Sequence, residues 1–308
     1  MEARAGVGIT PLPLEAHFDS GLEKDFRIAP EDWAFLKTAS GITDEEELRK
    51  HVLKIQADAY AIFPYPCIRL FAFVRRKLAG LPAYERMMKL GKEREGAILL
   101  DIGCAFGNDI HRAVADGYPI ENVIASDIEP GFWRLGHELF RTTPETFPVP
   151  FVGGDAFDPA FLPPTAPFTA PPGTPRPDLR TLTTLAPLLG HVSFIHASSL
   201  FHLFDEEEQV QLARALAGLL SPAPGSMILG LHTGRPEKGW NEGSWPGGRR
   251  SLFCHSPESW AALWDGEVFE KGSVEVETRL VPVDVSRLGL ASNEGVTMYR
   301  LLWSVTRL

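Results

Sequence analysis

Three aspartates, Asp101, Asp127 and Asp155, each stand at or just past the end of a short apolar run and each is followed by a turn: AILLDIG from residue 97, VIASDI from 123 and VGGDAFD from 152. A carboxylate at a strand end accepts hydrogen bonds from whatever lies across the sheet edge. Asp127 is placed to accept from two ribose hydroxyls. Asp155 is placed to accept from an adenine amino group while Phe157 borders the base. In AILLDIGCAFGND, Gly103 permits a tight turn and Gly107 lets a ligand or a helix come close. Together these residues describe a nucleoside site at the carboxyl edge of a sheet. A pyrophosphate is a poor fit, because Asp109 near the following helix start would repel it; a dinucleotide site prefers G-x-G-x-x-G there. A cationic ligand suits the acid better, with Asp101 or Asp109 holding an ammonium, although Asp109 could equally support the first helical turn against its dipole.

A second concentration of polar residues is IHASSLFHLFDEEEQ, 195–209. Ser198 and Ser199 lack the G-x-S-x-G turn that exposes a hydrolase nucleophile, which argues against a serine hydrolase. His196 lies within the apolar run and reads as a satisfied core histidine. Asp205 and Glu208 have capping spacing, so the acidic run is first-turn charge on a helix and no metal site is expected. Ser256-Pro257 reads as an N-cap and first helical residue.

The elements that must position these groups follow from periodicity. Thr43, as N-cap with Glu46 at N3, opens a helix on which Leu48, Val52, Ile55, Ala59 and Ile62 recur. A second helix is predicted over 66–80 and a third from Pro82 to Gly91. From Gly96 onward, short apolar runs alternate with helical stretches, giving a mainly parallel sheet. VEVETRLVPV and VTMYRLLWSVTRL predict an antiparallel pair at its C-terminal edge. The proline-rich residues 163–177 read as an extended surface insertion. Residues 233–250 read as a mobile loop in which Trp240 and Trp245 either cover a ligand or patch the surface.

DIGCAFG resembles the DxGxGxG motif of class I S-adenosylmethionine-dependent methyltransferases, with Ala105 at the middle glycine, and the spacing to Asp127 and Asp155 is similar to their next two motifs. PYPCIRLFAF, IHASSLFHLFDEEEQ and FCHSPESWAALWDG narrow the resemblance to fungal secondary-metabolism O-methyltransferases of the meroterpenoid-pathway type. The resemblance implies a Rossmann-like α/β fold, with a cap over 1–94 and a cofactor domain over 95–308. It implies S-adenosyl-L-methionine at Asp101, Gly103, Cys104, Ala105, Phe106, Gly107, Asp127, Ile128, Asp155, Ala156, Phe157 and Ser198. His202 becomes the leading residue at the acceptor, as a base on a phenol or as a donor to a carboxylate. Tyr65, Arg69, His232, Trp240, Trp245 and His255 are the further acceptor-side candidates. A carboxylate acceptor on a small metabolite is favoured over a hydroxyl; a protein methyltransferase and a silent binding scaffold are the other readings.

Composition bounds the partners. A formal charge of −10 over 308 residues repels nucleic acid and anionic membranes. No apolar run reaches a membrane span, and the start lacks a signal core, so a cytoplasmic monomer or homodimer is expected. Three scattered cysteines imply neither a disulfide framework nor a zinc knuckle.

Overall fold

The computed structural model describes residues 26–245, 248–283 and 298–308. The five apolar runs form β1 (Ile98–Ile102), β2 (Val123–Asp127), β3 (Phe151–Gly153), β4 (Val192–His196) and β5 (Met227–Gly234). After a separate hairpin of β6 (Gly239–Trp245) and β7 (Gly248–Cys254) come β8 (Val274–Val283) and β9 (Met298–Arg307). The main sheet has the order β3-β2-β1-β4-β5-β9-β8. Its first five strands run parallel, β9 is antiparallel to β5, and β8 closes the edge against β9. The β1 run ILLDI is buried throughout, as a strand covered on both faces must be.

The helices are α1 (Pro30–Ser40), α2 (Glu45–Ile62), α3 (Pro66–Arg69), α4 (Tyr84–Glu93), α5 (Asn108–Ala115), α6 (Pro130–Phe140), α7 (Glu206–Leu219) and α8 (Pro257–Trp264). Leu100, Ile124, Ile195 and Ile228 pack one sheet face against Leu212 and Leu216 of α7 and Trp260 and Trp264 of α8. Leu99, Val123, Phe194 and Leu229 pack the other against Met87 of α4 and Ile110 of α5. The capping predictions hold at two helices: Asp205 and Glu208 bond each other's backbone amides at the start of α7, and Ser256 caps α8 with Pro257 following.

Three local expectations change. The α2 cap is Asp44, one residue after Thr43, because its carboxylate reaches the Glu47 amide at 2.8 Å. The predicted helix over 66–80 is broken into α3 and two 3-10 turns, at 72–74 and 78–80. Phe71 interrupts it with a left-handed backbone (φ 55°), which turns its ring fully into the core. Where a loop is expected over 233–250, the chain forms the hairpin β6–β7, and β5 continues to Gly234. Residues 163–177 hold neither helix nor strand and are tied down, with Arg307 donating to the Phe168 carbonyl and Arg176 to Asn122 Oδ1. Among the described residues no helix is long and apolar enough to cross a membrane.

The N-terminal helices are fastened to the cofactor-type loop itself. Leu36, Val52, Ile55, Phe71 and Phe73 share one apolar cluster with Phe106 of that loop and with Phe132, Leu135 and Leu139 of α6. Contact between loop and α6 needs glycine: a Cβ on Gly136 would lie 2.2 Å from the Phe106 carbonyl oxygen. Gly136→Ala is therefore expected to cost about 1–3 kcal/mol, as overpacking does, measured by urea unfolding. Unchanged stability would mean that α6 does not bear on the loop.

Candidate active site

The chain leaves β1 through three left-handed residues at alternate positions, Gly103 (φ 70°), Ala105 (φ 47°) and Gly107 (φ 67°). This winding aims successive amides inward. Gly103 and Cys104 donate to the Ser126 carbonyl at 2.8 and 3.1 Å, and Ala105 donates to Asp127 Oδ2 at 2.8 Å. Asp127 Oδ1 accepts from the Glu129 amide at 2.9 Å, so both carboxylate oxygens are fixed in direction and each keeps a second lone pair. Burial raises this carboxyl to about 6, against the lowering effect of the two amides. Beside it Ile128 is 57% exposed, an apolar surface at a polar edge. Asp155 accepts from the Phe157 amide at 2.9 Å, and Phe157 meets Phe204 edge-on. Ala156 and Phe157 also wall a cavity of about 340 Å³ against Val210 and Arg214, outside the Asp101–Asp127 edge.

Several expected cofactor residues are turned elsewhere. Phe106 is buried and stacks on Phe73 at 4.6 Å, so its ring serves the cap. The space above Gly107 is taken by the Trp133 ring, 2.4 Å from a built Cβ. Asp109 accepts from the Lys77 and Leu78 amides at 2.9 and 2.8 Å and is thereby committed to holding the cap. The Cys104 thiol is buried and pushed well above its ordinary range, chiefly by that burial.

Asp101 is also the end of a buried chain. His196 lies 2.8 Å from Asp101 Oδ1 through Nδ1 and 2.6 Å from Ser198 Oγ through Nε2, while the Leu231 amide donates to the same hydroxyl at 3.2 Å. Burial disfavours an imidazolium here, yet the Asp101 carboxylate leaves His196 raised from its ordinary value. His196 is thus a satisfied core histidine, and it ties the ends of β1, β4 and β5 together.

Three histidines gather near the ends of β4 and β5. His202 sits in a 3-10 turn after β4, and its Nδ1 accepts a long 3.4 Å bond from the Thr233 amide. His232 lies inside β5, fully buried, with Nδ1 accepting from Trp303 Nε1–H at 3.0 Å. His255 follows β7 and meets Ser259 Oγ at 2.9 Å. Burial first, and then the neighbouring His202 and His255, hold His232 well below its ordinary pKa. The His232 and His255 rings pack against Trp260, with centroids 4.5 and 5.2 Å away. Their Nε2 atoms are buried and have no hydrogen-bond partner among the described residues. Tyr65 packs against Phe63 and Phe132, and the Arg69 carbonyl accepts from Gln56. Trp240 is half exposed on β6, edge-on to Phe253; the side chain of Trp245 lies outside the described residues.

Residues 22–74 match the meroterpenoid methyltransferase N-terminal domain. Over 261 residues, 85% of this chain and 83% of the other, the sequence is 31% identical to the asnovolin E/chermesin D methyltransferase nvfJ of Aspergillus novofumigatus. The chain belongs to the fungal meroterpenoid methyltransferases. It is an S-adenosylmethionine-dependent methyltransferase with a Rossmann-like fold. The O-methyltransferase phiE of a fungal species is 30% identical over 74% of this chain and 68% of its own. Among solved structures, an S-adenosylmethionine-dependent methyltransferase from Mesorhizobium loti aligns over 75% of this chain and 100% of its own, at 16% identity and a TM-score of 0.42.

The edge of this methyltransferase fits its cofactor in kind. Asp127 offers oriented acceptors for hydroxyls, Ile128 offers uncovered apolar surface for a purine, and Asp101 offers a buried carboxylate for a cation. Sequence reasoning missed Trp303 and the Ser198 link to β5. Both depend on which residues become neighbours across strands, and Trp303 carried only an alternation signal within β9.

Two measurements follow. Ala105 pays for its left-handed backbone with its methyl, so Ala105→Gly is expected to stabilise the fold by up to about 1 kcal/mol in urea unfolding; a loss would place the strain elsewhere. Asp127, raised to about 6, favours the unliganded fold below its unfolded value of 3.8 and loses that contribution as pH rises through 6. Ligand hydroxyls need the ionised form. Calorimetric affinity for S-adenosylhomocysteine should therefore fall below about pH 6, by at most roughly tenfold per pH unit. Asp127→Asn should bind weakly at pH 7.5 without that dependence, and a flat wild-type profile would remove Asp127 from the site.

Proposed function

We propose that this methyltransferase forms the methyl ester of a carboxylate on a small fungal metabolite. The observation that carries the reading is the tautomer of its acceptor-side histidines. An imidazole whose Nδ1 lone pair accepts a hydrogen bond carries its neutral-state proton on Nε2. His202 accepts from the Thr233 amide and His232 from Trp303, so each neutral ring presents a donor rather than a base. Burial keeps His232 neutral. A phenol or alcohol needs its proton removed; a carboxylate is already ionised near neutral pH and needs only to be oriented. Donors match the second acceptor and not the first. Relatives such as the asnovolin E/chermesin D methyltransferase agree with a small metabolite as substrate.

Asp127 would hold the ribose hydroxyls, Asp155 and Phe157 the adenine, with Ala156 lining that turn, and Asp101 the ammonium, with Gly103, Cys104 and Ala105 giving the backbone close approach and Ile128 covering one side of the base. When bound, the cofactor supplies an electrophilic methyl on a sulfonium. Ser198, fixed by His196 and Leu231, sets the backbone after β4. His202 would donate to a carboxylate oxygen and hold the nucleophile in line, with the buried His232 behind it, which is where orientation lowers a barrier. The cap residues Tyr65 and Arg69 would cover the acceptor against water, and Trp240 would border it from the hairpin.

The test is transfer of labelled methyl to matched carboxylic acids, primary alcohols and phenols, scoring esters by release of labelled methanol in alkali. Ester formation with a rate flat between pH 6 and pH 8 is the expected result. His202→Gln, which keeps a donor, should stay within a few-fold of wild type, while His202→Ala should lose roughly 10–100-fold, the worth of one hydrogen bond to a charged group. Alkali-stable product, with a rate rising through the histidine range and a dead His202→Gln, would instead make His202 a base on a hydroxyl.

A further inference from the structure

The buried chain Asp101–His196–Ser198 is half-used by the fold. Asp101 and His196 are paired in the β1–β4 register, and alternation puts both on the face of Leu99 and Phe194, where α5 begins. All three residues are buried. Oδ1 of Asp101 is bonded to His196 Nδ1 at 2.8 Å, but Oδ2 has no hydrogen-bond partner among the described residues. A buried carboxylate oxygen without a donor is costly. This one stands at the carboxyl end of β1, two residues before the first left-handed glycine of the loop.

The chain can hold its contacts in two protonation states. With His196 charged, both ring nitrogens donate, Nδ1–H to Asp101 and Nε2–H to Ser198 Oγ, 2.6 Å away. With His196 neutral, Nδ1–H stays on Asp101 and the Ser198 hydroxyl turns to donate to Nε2. Oγ keeps the Leu231 amide, 3.2 Å away, in both states. Local charge therefore decides between them. Besides Asp101, the charges that face His196 are Asp109 at the start of α5 and Lys77 of the cap, which lie 4.0 Å apart and offset each other. Asp127, at the end of β2, feels Asp101 in turn, and burial keeps the Cys104 thiol neutral. Against the cost of burial, the adjoining Asp101 carboxylate holds the His196 proton to a higher pH than usual.

A second cation on Asp101 reverses that balance. An ammonium against Oδ2 and an imidazolium against Oδ1 would share one carboxylate and repel each other across it. The imidazolium gives way first, because it holds its proton less tightly, about 6.5 against about 8 for an α-amino group. We propose that His196 is the stand-in counter-ion of the unliganded cofactor site: it carries a proton while Asp101 has no ligand and releases it to solvent when the cofactor's ammonium arrives. This rests on the assignment of Asp101 to the ammonium made above. His196 is then a positioning residue, which keeps a buried carboxylate ionised until its ligand takes over.

The test is the titration of His196 by histidine carbon–proton NMR, in wild type alone, with S-adenosylhomocysteine and with the desamino analogue of that ligand. Its signal is the one lost in His196→Asn and displaced in Ser198→Ala. The half-titration pH is expected to fall by about one or more on binding S-adenosylhomocysteine, a tenfold change in proton affinity, and to stay near the free value with the desamino analogue. A half-titration pH that S-adenosylhomocysteine leaves in place, or that both ligands move equally, overturns the linkage. Calorimetry of Asp101→Asn reads the underlying assignment separately. A roughly tenfold loss for S-adenosylhomocysteine and none for the desamino analogue keeps Asp101 on the ammonium, so an unmoved His196 then removes the linkage alone. Equal losses for the two ligands, or no loss, remove Asp101 from the ammonium and His196 from its role with it.

Discussion

The buried Asp101–His196–Ser198 chain is the contact on which the site depends. It joins β1 to β4 through a charge-assisted bond and β4 to β5 through the Leu231 amide, all at the carboxyl ends of the strands. A carboxylate and an imidazole taken out of water are costly unless each finds a partner. Here each has one, so the pair fixes three strand ends relative to one another. The loop after β1 and the turn after β4 inherit that geometry.

The second constraint is the crowding of the loop 103–107. Phe106 is sunk into the cap, Trp133 fills the space above Gly107, and α6 touches the Phe106 carbonyl where Gly136 has no side chain. Asp109 then bonds the backbone of 77–78 and draws the cap onto the start of α5. Cap and cofactor loop are therefore one packed unit.

At His232 burial selects the protonation state. The aromatic wall of Phe201, Trp260, Trp264 and Trp303 excludes water from His232, and the Trp303 indole takes the lone pair of Nδ1. A ring held in this way carries its neutral-state proton on Nε2.

Much of the fold was legible because strands and caps are local: the runs ending at Asp101, Asp127 and His196 are strands by hydrophobicity alone, and the caps of α7 and α8 by their side-chain spacing. The 66–80 segment was misread because its apolar residues serve a core supplied by α2 and α6, which reversed the backbone at Phe71 against its helical pattern. The hairpin at 239–254 was misread because the glycines of its first half mimic a loop. By itself the sequence determined which residues carry charge, which can cap and which must be buried. The tertiary structure alone decided that Asp109 is spent on the cap and that the proton of His232 sits on Nε2. Those facts depend on hydrogen-bond partners tens of residues away, and no local pattern encodes the position of a distant donor.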